Sequence, residues 1–137
     1  MNPLDSILDW DELVSALRDE LQEKGGLIRL LNQQTEALYR RDHTENERLE
    51  DQIRNQIRLA TQCRQRRDLI LRQTAVEMDL PDDPATNEIL ARFPEYVQPL
   101  LEALFLEVDR LSGRLEERLR QNQLLKERFL VEIAPAT

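Results

Sequence analysis

Apolar residues recur at three- and four-residue spacing along most of this chain, the period of one helix face. Trp10, Leu13, Leu17, Leu21, Lys24, Ile28, Leu31, Thr35 and Leu38 form the first such stripe, and seven of the nine are apolar. A second stripe reads Leu49, Ile53, Ile57, Ala60, Cys63, Arg67, Ile70, Thr74 and Met78. A third reads Val97, Leu101, Leu104, Val108, Leu111, Leu115, Leu119, Asn122, Leu125, Phe129 and Ile133. Long helices are therefore predicted over about residues 9–41, 44–79 and 96–134. The prolines agree: they stand at 3, 81, 84, 94, 99 and 135, outside the interiors of these stripes. A proline inside a helix removes a hydrogen bond and clashes with the preceding turn.

The ends of the stripes carry local signals. Asp9, Asp11 and Glu12 suit the first helix's N-terminus, where the macrodipole favours negative charge. Thr44 with Glu47 has the spacing of a capping box and is expected to start the second helix after a turn at residues 41–43. Asp83-Pro84 reads as a cap followed by a first helical position, predicting a short helix over about 84–92. Gly25-Gly26 falls inside the first stripe without shifting its phase. Two glycines cost about 2 kcal/mol against alanine, so a kink or local weak point is expected there. Three long helices with short turns pack antiparallel at roughly 20°, and 33 residues of helix span about 50 Å. The expected fold is all-α: one elongated, coiled-coil-like antiparallel bundle of three long helices plus one short helix, as a single domain over 1–137.

Composition strengthens the helical reading. Aromatic residues are 4% of the 137, too few for the aromatic and β-branched supply of sheets, while charged residues are 34%. No apolar run reaches 18 residues, and the start of the chain has no basic n-region, so neither a transmembrane helix nor a signal peptide is expected. The cytoplasm is the expected compartment. The net charge of −8 argues against a nucleic-acid binder, which needs a basic face, and against an anionic membrane surface. Seventeen of the 19 basic residues are Arg, which fits a GC-rich coding sequence.

Candidate chemistry is sparse. Cys63 is the only cysteine and His43 the only histidine, so a disulfide or a cysteine metal cluster cannot form within the chain, and His43 reads as a turn residue. Gly25-Gly26 is not followed by Lys-Ser or Lys-Thr, as a phosphate loop requires. No Glu-x-x-His pair exists to build a di-iron bundle. Carboxylates such as Glu47 and Asp51 stand at helical spacing from Arg54 and Arg58, the pattern of a solvated face. No enzyme activity, cofactor or metal is expected. The basic block Arg64, Arg66 and Arg67 would pair with Asp19, Glu20 and Glu23 of the first helix, or form an acid-binding patch.

The last helix has more apolar residues than one seam uses. Leu100, Phe105, Leu106, Leu124, Leu130 and Val131 lie outside its main stripe. A second apolar face implies burial in a larger bundle or homodimer, or a partner's amphipathic helix.

Two segments carry a resemblance. Leu30-Leu31, Glu36-Ala37-Leu38 and Asp42, followed by Glu47-Arg48-Leu49, resemble a pattern of the FlgN family of flagellar export chaperones. Leu111, Leu115, Leu119 and then Arg120 to Leu125, with Asn122 ahead of Leu124-Leu125, are similar to that family's C-terminal helix. The resemblance spans most of the chain from Leu13. It implies a cytoplasmic chaperone without a catalytic centre. Such a protein binds the C-terminal helical segments of hook–filament junction (hook-associated) proteins and delivers them to the flagellar type III export gate. Leu119, Asn122, Leu125, Phe129 and Ile133 are the expected partner contacts. The competing expectations are a structural helical-bundle homo-oligomer and another small secretion chaperone, of the filament-cap type; a homodimer stays open.

Overall fold

The computed structural model describes residues 10–133, and for residues 130–133 the helical backbone alone. The fold is an all-α bundle. Helices α1 (Trp10–Tyr39), α2 (His43–Glu77), α3 (Thr86–Leu90) and α4 (Gln98–Ile133) follow one another, and no strand occurs among the described residues. These bounds lie within about two residues of the sequence expectation for the long helices.

The chain forms two compact units, one of Met1–Leu21 with Thr61–Asp109, the other of Gln22–Ala60 with Arg110–Thr137. All three long helices contribute to both. In the first unit Leu13, Val14 and Leu17 of α1 pack with Ile70, Leu71 and Ala75 of α2. Ile89 and Leu90 of α3, then Phe93, Val97, Leu101 and Val108, complete that core. Trp10 meets the Tyr96 ring edge-on at 6.1 Å. In the second unit Leu27, Ile28, Leu31 and Leu38 of α1, Leu49, Ile53 and Ala60 of α2, and Leu111, Leu115 and Phe129 of α4 are buried. There Gln34 bonds Asn46 while Glu23 bonds Gln56, so α1 and α2 run antiparallel. Lys24 bonds Ser112 and Thr35 bonds Asn122, so α1 and α4 run parallel.

Both long turns close on the same device. At the end of α1, Arg41 N–H donates to Leu38 O and Asp42 N–H to Ala37 O. At the end of α2, Asp79 N–H donates to Val76 O and Leu80 N–H to Ala75 O. These are Schellman motifs. The residues at the left-handed position are Arg41 and Asp79, both at φ 56°, where glycine would be cheapest.

Two local expectations are corrected, both at helix starts. The cap of α2 is Asp42, not Thr44: its carbonyl accepts Asn46 N–H at 3.0 Å and its Oδ1 accepts Glu45 N–H at 3.1 Å. The tight turn at Arg41 brings Asp42 to the cap position at once. Asp83 does not cap α3. It adopts φ 54° and turns the chain, and α3 starts after Ala85, which offers no side-chain cap. Helix α1 continues through Gly25-Gly26. A Cβ on Gly26 would lie 3.1 Å from Gln56 Nε2, and that amide donates to Glu23 O and Glu23 Oε2 at 2.9 and 2.6 Å. The glycine admits the amide to the α1 backbone; nothing within 4 Å explains Gly25.

Candidate functional site

In the second unit α4 presents Leu111, Leu115, Asn122 and Phe129 to the interior. Their spacing keeps one narrow seam, and the helical period of 100° per residue puts Leu119 and Leu125 on its two margins and Leu124 on the outward side. Exposure follows this geometry: Leu119 is 38% and Leu124 59% exposed, while Leu125 is half-buried.

Asn122 is the hub of a buried polar layer. Its Nδ2 donates to Leu31 O at 2.9 Å and to Gln34 Oε1 at 3.0 Å, and its Oδ1 accepts from Thr35 Oγ1 at 2.6 Å. Gln34 in turn donates to Glu50 Oε1 at 2.8 Å, and Lys126 donates to the same oxygen at 2.7 Å. Among the described residues no buried side-chain polar atom is left without a partner. A layer in which every group is satisfied fixes the relative register of three helices, because any slip would strand its donors and acceptors. One level below, Lys24 donates to Ser112 Oγ at 2.6 Å.

Phe129 closes the seam near the α1–α2 turn. Tyr39 meets its ring edge-on at 6.4 Å, and the Arg41 guanidinium lies 4.9 Å from its centroid. A pocket of about 160 Å³ opens beside it between Leu38, His43 and Lys126.

The structure thus divides the sequence-derived contact set. Asn122 and Phe129 lie inside the second unit, engaged with α1. Leu119 and Leu125 lie at the margins of the seam. The side chain of Ile133 is outside the described residues. Leu124 belongs to the surface although the main stripe left it out; its signal was its place in the second apolar face of the sequence. Of the other surplus residues, Leu106 is exposed, whereas Phe105 packs against the first unit's core below the Arg67 guanidinium, 5.9 Å from its ring centroid.

The basic block resolves as ion pairs within the first unit. Arg66 bonds Asp19 at 3.0 Å, and Arg67 bonds both oxygens of Glu20 at 3.0 Å. Glu23 is engaged by Gln56 instead. Burial disfavours the Arg67 charge, yet the Glu20 hydrogen bonds, with the Glu20, Asp68 and Asp109 charges, hold its pKa above the usual arginine value. Arg64 is exposed.

Among the described residues no group of three His, Cys, Asp or Glu side chains is arranged to hold a metal ion, and no helix is long and apolar enough to cross a membrane. Comparison with protein families, characterised proteins and solved structures finds no match to this chain.

Proposed function

We propose that this chain is a non-catalytic chaperone of the flagellar export kind. It holds the C-terminal amphipathic helix of a hook-associated protein and passes it to the export gate. The observation that carries the reading is the exposure of Leu124, with Leu119 at the seam margin, on a helix whose inner face is already fixed by the Asn122 layer. Such a helix offers apolar surface without having to unfold to expose it. Leu124 anchors the client, Leu119 and Leu125 flank it, and Asn122 and Phe129 hold α4 from behind. The resemblance of Leu30–Asp42 and Leu111–Leu125 to that chaperone family supplies the client class.

Release at export requires moderate affinity. A micromolar Kd corresponds to about −8 kcal/mol, and each newly buried Leu contributes about 1.5–3 kcal/mol before association costs. Calorimetric titration of the full chain with C-terminal segments of hook-associated proteins tests the reading. Binding near micromolar, with the negative heat-capacity change of apolar burial, is the expected result. No heat at any temperature, together with a stable homodimer in sedimentation, would assign the exposed leucines to a self-assembling scaffold instead.

A further inference from the structure

The first unit carries an open groove that the α4 reading does not use. It runs between the last turns of α2 and the segment that leads into α3, with a volume of about 520 Å³. Leu71, Ala75, Leu80 and Ile89 form its apolar floor. Val76 stands on its wall at 79% exposure, the highest of the large apolar side chains among the described residues. Leu69, one seven-residue step before Val76 and 47% exposed, extends the apolar strip along the same side of α2. A monomer gains nothing by leaving a valine and a leucine in water beside a preformed apolar trough.

Charge around the groove selects the occupant. Asp82 and Asp83 line it together with the cation Arg72, while Asp68, also in the lining, is already ion-paired with Arg67 at 3.0 Å. Asp82 and Asp83 are exposed, and Asp83 is held at φ 54° in the turn that sets both carboxylates beside the trough. Pro81 and Pro84 flank the pair and restrict the backbone there. An apolar trough rimmed by carboxylates is complementary to an amphipathic helix with Lys or Arg on either side of its apolar stripe.

We infer that this groove is a docking site for a basic amphipathic helix of another protein. Apolar side chains of the partner seat against Leu71, Ala75 and Val76, and its cations meet Asp82 and Asp83. The site is independent of the client surface on α4: it lies in the other unit and selects by charge as well as by apolar contact. A chain that engages two helices at two sites can hold one partner while it meets another.

The test uses the full chain and two acetylated, amidated helical peptides of about four turns. One is built of Leu and Lys, the other of Leu and Glu in the same pattern. Titration of the ¹⁵N-labelled protein should show the Leu/Lys peptide shifting amide signals of residues 68–89, and the Leu/Glu peptide leaving them unmoved. Val76→Glu is the deciding variant, because Val76 is too exposed for the change to disturb the core. It adds negative charge, so mere attraction of a cationic peptide to an acidic protein would grow stronger. Loss of affinity by about tenfold or more is expected instead. The double variant Asp82→Asn with Asp83→Asn should weaken binding several-fold and flatten its salt dependence. Four results would each overturn the inference: binding of the Leu/Glu peptide equal to that of the Leu/Lys peptide; affinity unchanged or raised by Val76→Glu; a dimer of the free chain that Val76→Glu makes monomeric, which gives the groove to a second copy; and peptide binding that appears only after deletion of residues 1–9, which gives it to the chain's own start.

Discussion

Glu20 is wholly buried, and both of its carboxylate oxygens accept hydrogen bonds from Arg67 at 3.0 Å. The pair links α1 to α2 inside the first unit, next to the aromatic ring of Phe105. Removing one partner of a buried ion pair leaves an uncompensated charge and typically costs about 3–5 kcal/mol, whereas replacing both with apolar groups is often neutral. Glu20→Leu alone should therefore destabilise the fold by about 3 kcal/mol, the contact of Arg67 with Asp68 placing it at the lower end. Glu20→Leu combined with Arg67→Met should recover most of that loss. Chemical denaturation of the unaltered chain and the two variants checks it; equal losses for the single and double variants would show that the pair acts through shape rather than charge.

The Asn122 layer does the corresponding job in the second unit, with neutral groups. Asn122→Ala removes one acceptor and two donor contacts; Thr35 Oγ1 and Leu31 O keep their mutual hydrogen bond at 2.9 Å, while buried Gln34 Oε1 loses the Asn122 amide. The expected cost is about 2–3 kcal/mol. Hydrogen exchange would place the loss: protection should fall over Leu31–Leu38 and Leu115–Phe129 more than over Ile70–Ala75. A uniform fall would mean that the two units unfold as one.

The left-handed residue at the end of α2 offers a gain in stability. Asp79 occupies φ 56°, a conformation that costs an L-residue roughly 1 kcal/mol and glycine almost nothing. Asp79→Gly should stabilise the protein by about 0.5–1 kcal/mol despite the entropy glycine adds to the unfolded chain. Arg41→Gly should gain less or nothing, since it also removes the guanidinium from the Phe129 ring. Thermal melts of the two variants side by side separate backbone strain from the side-chain contact.

These relationships mark how far the sequence could be read. The periodicity of Trp10 to Leu38 and of Val97 to Phe129 gave the helices and most of the core, because a continuous apolar stripe has few alternative uses. Pairing of the basic block with the acidic first helix was one of two readings the charge content left open; which residues pair, Arg66 with Asp19 and Arg67 with Glu20, was not specified by it. The cap of α2 was not. Thr44 and Asp42 are both good caps in isolation, and the choice depends on where the Arg41 turn releases the chain. Ile57 was assigned to the stripe, but the close approach at Gly26 turns Gln56 towards α1 and leaves Ile57 exposed. The role of Asn122 was hidden for a related reason. A polar residue in an apolar stripe reads equally as a surface contact or as the centre of a buried network, and only the positions of Thr35 and Gln34 distinguish the two. The groove below Val76 depends on the path of residues 80–89, which no helical pattern specifies.

The distinction between inward and outward residues of α4 gives the sharpest functional prediction. Phe129 packs against Tyr39 and Arg41 inside the second unit, so Phe129→Asp buries a charge where a ring was. It should lower stability by about 3–5 kcal/mol, with loss of helical signal on mild heating, and any loss of client binding would follow from that. Leu124 is 59% exposed, so Leu124→Glu should change stability by less than about 0.5 kcal/mol while weakening the titrated client segment about tenfold or more. Circular dichroism and calorimetry on the two variants separate the effects. If Leu124→Glu binds the segment like the unaltered chain, the client surface does not lie on the outward face of α4, and the exposed side chains of the first unit become the next place to look.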